Sequence, residues 1–153
     1  MTKAVDAKSI KSRTGSIYPE PYASQVGRKE KWALGNAFGL DGFGVNLVRL
    51  PPDCPSSMRH WHTKEDELIY VLEGEVVLET DEGEQVLVPG MAAGFKAGEP
   101  NGHRLVNKSN KDAVYLEVGS RIAGDEAEYP DIDMRVIWNN GRVFVHKDGT
   151  PFD

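Results

Sequence analysis

Three things are scarce in this chain of 153 residues: it has one cysteine, no apolar run long enough to cross a bilayer, and no sustained 3.6-residue apolar period. A lone thiol cannot form an internal disulfide, which favours a reducing compartment and leaves the hydrophobic core to hold the fold. Cys54 has no activating neighbour in sequence and reads as a small buried side chain. The segment Met1–Lys8 lacks the apolar stretch of a secretory signal, so the expectation is a cytoplasmic protein without a membrane partner. Positive charge is also short. A formal net charge of −6 excludes a chain built to neutralise phosphates along a nucleic acid. Lys8, Lys11 and Arg13 are the basic residues of a polar leader and read as a solvated tail. Repeats and low-complexity tracts are absent, and the length suits one domain.

What is present is strand. Phe43–Leu50 alternates, with Val45, Leu47 and Arg49 on one face and Asn46 and Val48 on the other, and Pro51-Pro52-Asp53 ends it. Short strands are then expected at about 58–62, 67–72, 75–80, 84–88, 92–95, 103–107 and 113–118. Glu73-Gly74, Asp81-Glu82-Gly83 and Pro89-Gly90 supply turns between them. This is the pattern of an all-β sandwich or barrel. Residues 1–30, broken by Tyr18-Pro19-Glu20-Pro21-Tyr22, read as an extended N-terminal arm with little regular structure, able to wrap a partner subunit. Residues 31–153 read as the single β domain. Within it, residues 131–146 form a C-terminal hairpin, Met134–Trp138 and Arg142–His146 around an Asn-Gly turn, appended to the barrel. The segment Arg121–Glu126 reads as a polar loop.

Three of the four histidines fall into one spaced pattern. Side chains two apart on a strand share a face, so His60 and His62 point together while Trp61 faces away. Glu67 shares the inward face of the following strand with Ile69 and Val71. A carboxylate among apolar neighbours is costly unless a cation or hydrogen-bond donors compensate it. A divalent metal would do both.

His60-x-His62, then Glu67, then Gly74 resembles the first motif of the cupin superfamily, small jelly-roll barrels that hold a metal with three histidines and one glutamate. The resemblance spans about Asp41 to Gly119. It implies a double-stranded β-helix fold, ligand roles for His60, His62 and Glu67, and a last histidine from a second motif, which is present in modified form between Gly90 and Asn107. His103, with Asn107 in register behind it, takes that place. The sequence departs from the motifs at Cys54 and Lys96, where a glycine and a proline are expected, and in the turn before His103.

Three imidazoles and a carboxylate suit one Mn, Fe, Ni, Cu or Zn ion per chain. An octahedral ion would keep two positions open for catalysis, whereas tetrahedral zinc would be closed by the same set. Strand parity offers Tyr115 and Glu117 as candidate catalytic residues. Arg49, Lys96, Phe95 and Asn107 are candidates for substrate contact, and Trp138 for an apolar wall. His146 reads as exposed and uninvolved. The expected function is a metal-dependent enzyme acting on a small polar molecule, by isomerisation of a sugar or sugar phosphate or by dioxygenase-type cleavage. A non-catalytic binding or sensing module is the alternative, and a homodimer is the expected assembly. A transcription regulator would need a helix-turn-helix, which the proline-broken arm does not supply.

Overall fold

A computed structural model describes residues 3–153, and its strands lie in three antiparallel sheets. The first carries six strands in the order β1 (Arg13–Thr14), β2 (Glu30–Ala33), β3 (Phe43–Leu50), β11 (Ala113–Ser120), β6 (Glu67–Glu73) and β9 (Ala92–Phe95). The second runs β4 (Cys54–Pro55), β10 (Arg104–Asn107), β7 (Val76–Thr80), β8 (Gly83–Leu87). The third runs β14 (Arg142–Val145), β13 (Met134–Trp138), β12 (Ala127–Tyr129), β5 (Trp61–His62). The described helices are short, α1 (Ala23–Val26) and α2 (Leu34–Ala37) each having four residues, and none is long and apolar enough to cross a membrane.

The main core lies between the first two sheets. Val48, Leu50, Ile69, Val71 and Tyr115 from the first meet Val76, Leu87, Leu105 and Cys54 from the second. Alternation explains which residues arrive there: on β3 the even positions Val48 and Leu50 enter the core, while Leu47 turns to an outer cluster with Trp32 and Val114. Cys54 is a buried free thiol in that core, and burial raises its pKa. The third sheet has its own cluster, in which Met58, Ala127, Tyr129, Met134 and Val136 are joined by Tyr18, Tyr22 and Val26 of the N-terminal segment.

The N-terminal arm is more structured than its composition suggests. β1 pairs with β2, which pairs with β3, so the arm extends the chain's own sheet. Ala7 and Ile10 cover the outer cluster, and Tyr18 makes edge contacts with Tyr129 and Phe144. Its prolines interrupt regular structure, but its aromatics anchor it. Met1 and Thr2 lie outside the described residues.

The C-terminal hairpin forms as expected, with Asn140 and Gly141 at positive φ in its turn. It is built into the barrel, where β12 joins it to β5, the strand bearing His62. β12, a three-residue strand, is missing from the sequence reading, which ended the polar loop without one, as are β1, β2, β4 and the two short helices.

Two glycines have a demonstrable steric role. Gly74 turns β6 into β7 at φ 70°, and a Cβ there would lie 2.6 Å from the Asp112 carbonyl oxygen. Gly102, just before His103, packs so tightly on Pro130 that a Cβ would sit 2.8 Å from the proline ring.

Candidate metal centre

His60 and His103 form an isolated antiparallel bridge, exchanging both backbone hydrogen bonds at 3.2 and 3.0 Å. That bridge, not the spacing of the preceding loop, sets where His103 points. The extra residues before it go into a kink at Gly98 (φ 83°), and the Asn101 side chain accepts a hydrogen bond from the Asp81 amide. Glu67 opens β6 directly across from Phe95 of β9 and Gly119 of β11.

The four side chains meet at one point. The Nε2 atoms of His103, His62 and His60 lie 3.1, 3.2 and 3.6 Å from Glu67 Oε1. The donor atoms of His60, His62 and Glu67 all lie within 4.8 Å of one another. Each imidazole is braced from behind. His60 Nδ1 is 2.8 Å from the Met58 carbonyl oxygen and its ring stacks on Tyr129 at 5.4 Å. His62 Nδ1 is 2.7 Å from Asp125 Oδ2. His103 lies flat against Phe95, with ring centroids 3.6 Å apart and planes within 1°.

These partners fix protonation. A carbonyl and a carboxylate accept only, so the Nδ1 atoms of His60 and His62 carry the hydrogens and their Nε2 lone pairs face the Glu67 carboxylate. Lone pairs converging on an anion call for a shared cation, either a metal ion or protons on the Nε2 atoms. With protons on the Nε2 atoms, burial opposes charge on Glu67, but the hydrogen bonds of His103, His60 and His62 outweigh it and hold the carboxyl well below its ordinary range. Burial likewise opposes charge on His62, yet Glu67 and Asp125 raise its pKa. His103, for which burial dominates, is lowered. The residues fit a divalent transition metal, with His60, His62, Glu67 and His103 as its holders.

Asp125, invisible in the sequence reading, organises one side of this set. It is fully buried, accepts the backbone amides of Lys64 and Glu65 at 2.9 and 3.0 Å, and binds Arg142 Nη2 at 2.6 Å. Arg142 also reaches Glu65 at 3.0 Å. Glu65, Asp125 and His62 form a second acidic group of metal-holding shape, but the Arg142 guanidinium already supplies its cation.

A cavity of about 370 Å³ opens from the four-residue set. Tyr115, Glu117 and Phe95 line it, as do Arg13, Tyr18, Lys29 and Lys31 from the N-terminal segment. The Tyr115 hydroxyl is buried there with no hydrogen-bond partner among the described residues, and burial keeps it protonated far above neutral pH. Glu117 accepts from Lys31 Nζ and Asn46 Nδ2, each at 3.0 Å. Burial would raise its pKa, but Lys31 and Lys29 lower it. Glu117 stands opposite Ile69 and diagonal to Glu67 across the β11–β6 pair, roughly 7–8 Å away for such neighbours.

The other residues expected at the site fall elsewhere. Arg49 is on the outer face of β3, paired with Glu30 and 6.0 Å from the Trp32 ring, because the face it shares with Leu47 turns away from the cavity. Asn107 is buried but spent on structure, donating to the Leu50 and Lys111 carbonyls at 2.8 and 2.7 Å. Lys96 is exposed, pairs with Asp66 at 3.3 Å, and lines a second cavity of about 250 Å³ on the far side of His62, Glu67 and His103. Trp138 is 41% exposed and lines neither cavity. His146 stacks on Phe152 and bonds to Asp133, away from the site. Arg13, expected in a solvated tail, reaches the cavity from β1.

Antiparallel strands folded as a jelly roll, with three imidazoles and a carboxylate turned inward beside a cavity, define a β-barrel protein with a metal-type donor set. No curated protein matches the chain. The family profile described as the cupin domain matches residues 46–119. A solved sugar phosphate isomerase of the cupin superfamily from Silicibacter pomeroyi is 44% identical, with a TM-score of 0.93 over 99% of this chain and 97% of that one. A candidate sugar phosphate isomerase from Acidithiobacillus ferrooxidans is 28% identical, with a TM-score of 0.74 over 82% and 81%. The polyketide cyclase RemF from Streptomyces resistomycificus is 28% identical, with a TM-score of 0.62 over 78% and 80%. The chain belongs to the cupin superfamily.

Proposed function

We propose that this protein is a metal-dependent isomerase of a small phosphorylated sugar. The observation that carries this reading is the placement of Glu117: an ionised carboxylate in the same cavity as the four-residue set, one diagonal step from Glu67. The similarity to the Silicibacter pomeroyi protein over nearly the whole chain supports it. A bound divalent ion supplies Lewis acidity toward the carbonyl and hydroxyl oxygens of the substrate.

The chain's own groups account for the rest. Glu117 takes the proton from the hydroxyl-bearing carbon next to the carbonyl and returns it to the former carbonyl carbon, while the hydroxyl proton passes from the one oxygen to the other, which converts aldose and ketose into one another. Lys31 holds the carboxylate ionised and in place. Tyr115 lines the same cavity with its hydroxyl buried and kept protonated. Phe95 keeps His103 in its plane and closes the apolar side.

A metal-loaded preparation offered aldose phosphates in deuterated water should form the ketose and exchange the transferred hydrogen. Glu117→Gln should lower kcat about 10²–10⁴-fold with a much smaller change in KM. Since Glu117 is depressed below 4.5, the acid limb of kcat/KM should lie below that pH. Turnover of oxygen-dependent cleavage substrates in place of aldose phosphates, or full activity in the Gln variant, would refute the reading. The lone thiol and the family likeness support a cytoplasmic homodimer, which light scattering on the eluted protein tests for its assembly.

A further inference from the structure

We infer that Arg13, Lys29 and Lys31 form an anion subsite that binds the phosphate group of the substrate, so that the N-terminal segment is part of the binding site. The inference rests on the isomerase reading for the identity of the substrate, but on its own geometry for the anion.

Lys29 and Lys31 are two apart, so they point to the same side of the chain as it enters β2, and Glu30 points to the other. Arg13 of β1 stands directly opposite Lys31 in the antiparallel register. Like charges directly opposed across a strand pair destabilise it, and here the chain adds a third cation beside them. All three line the cavity that holds His60, His62, Glu67 and His103.

Their partners are too few. Lys31 is neutralised by Glu117 at 3.0 Å. Lys29 is half-buried, its ammonium donates to the Ser56 carbonyl oxygen at 2.6 Å, and among the described residues no carboxylate lies within ion-pairing reach of it. Arg13 likewise has no ion pair among the described residues, whereas the cavity's other two arginines are committed, Arg104 to Glu79 and Arg142 to Asp125 and Glu65. Three cations against one carboxylate leave two positive charges, and a phosphate monoester carries close to two negative ones near neutral pH. Lys29 and Lys31 are partly sheltered, which makes their pairing with an anion stronger than in open water, while Arg13 stands at the exposed rim.

The position also fits. Lys29 is tied to Ser56, and the next residue, Ser57, places its hydroxyl 3.4 Å from His60 Nδ1. The cations and the metal-holding set line one cavity, and Glu117, paired with Lys31 and diagonal to Glu67, connects the two groups. A phosphate at one end of a small sugar would sit on the lysines while its carbonyl end reaches the histidines.

Calorimetry on the metal-loaded full chain with inorganic phosphate, a sugar phosphate and the same sugar without phosphate tests this. The phosphorylated sugar should bind at least tenfold tighter than the unphosphorylated one, and inorganic phosphate should compete with it. Lys29→Met, which removes a sheltered charge and therefore keeps the fold, should erase most of that preference with metal content unchanged. Arg13→Ala, at an exposed position, should weaken it several-fold. Equal affinity for the two sugars in the wild type, or a preference intact in both variants, would overturn the subsite. Phosphate preference without turnover would sink the isomerase reading and leave the subsite standing. Turnover of a sugar phosphate whose affinity ignores Lys29 and Arg13 would do the reverse.

Discussion

The two walls of the cavity are built on opposite principles. On the histidine wall nearly every polar atom is committed: His60 to a carbonyl, His62 to Asp125, Asp125 to two amides and Arg142. On the lysine wall the charges outnumber their partners, with Lys29 resting on one carbonyl and Arg13 on no carboxylate among the described residues. Commitment of the outward Nδ1 atoms of His60 and His62 leaves their inward lone pairs unmet, and that need is for a cation; the outward Nδ1 of His103 is buried without a partner among the described residues. Under-commitment on the lysine wall leaves the opposite need. One molecule with oxygens at one end and an anion at the other answers both.

Breaking the first wall should give the largest effect. Replacing His62 or His103 with Ala removes one of the donors meeting at Glu67, and metal content after purification should fall from about one ion per chain to traces. The sheets do not depend on these rings, so circular dichroism should keep its β signature. Normal metal content in both variants would show that the convergence of His60, His62, Glu67 and His103 has another purpose.

A smaller effect is expected one layer back. Asp125→Asn keeps the shape but cannot accept on both oxygens, so it must fail either the Lys64 and Glu65 amides or the His62 and Arg142 donors. Metal affinity should drop about 10–100-fold, the usual cost of losing a carboxylate behind a ligating imidazole. Titration with a competing chelator measures it. Restoring the carboxylate as Asp125→Glu should recover only part, because the longer side chain cannot serve all four donors at once. A variant with unchanged affinity would make Asp125 a mere loop anchor.

These two walls were unequally legible in the sequence. His60, His62 and Glu67 are close together in the chain and sit in strands whose alternation parity resolves, so their convergence on the histidine wall is legible. His103 needed a family resemblance, because its approach is set by the bridge to His60 and not by the length of its loop. Asp125 and Arg142 reach His62 only through β12, three residues long and too short to leave a pattern. Arg49 was placed on the wrong side for the site because parity says which residues share a face but not which face is inward. Val48 and Leu50, being buried, decide that. The lysine wall did have a signal: Lys29-x-Lys31 obeys the same two-residue rule as His60-x-His62. It was hidden because Pro19 and Pro21 made the whole segment read as an arm, while Tyr18, Tyr22 and Val26 bind it to the barrel.

The lysine wall's imbalance should appear as a dependence of stability on pH, the smallest of these effects. Burial, with help from Lys31 and Arg13 and against Glu117 and Cys54, pushes the Lys29 ammonium down to about 8 from an ordinary 10.5. Below pH 8 both folded and unfolded chains carry the proton, and the folded state bears the full cost of the sheltered charge. Between 8 and 10.5 the unfolded chain holds the proton that the folded one has lost, so this residue's contribution to stability rises with pH. Lys29→Met should therefore be more stable than wild type by up to about 3 kcal/mol at pH 7, and the gap should close toward pH 10.5. Denaturant unfolding of the two proteins at both pH values reads the difference directly, since other titrations cancel between them. Inorganic phosphate at pH 7 should narrow the same gap by stabilising the wild type alone, because an anion on Lys29 offsets the cost that the substitution removes. A gap that ignores both pH and phosphate would mean that Lys29 is already satisfied, and the two walls would then differ in appearance only.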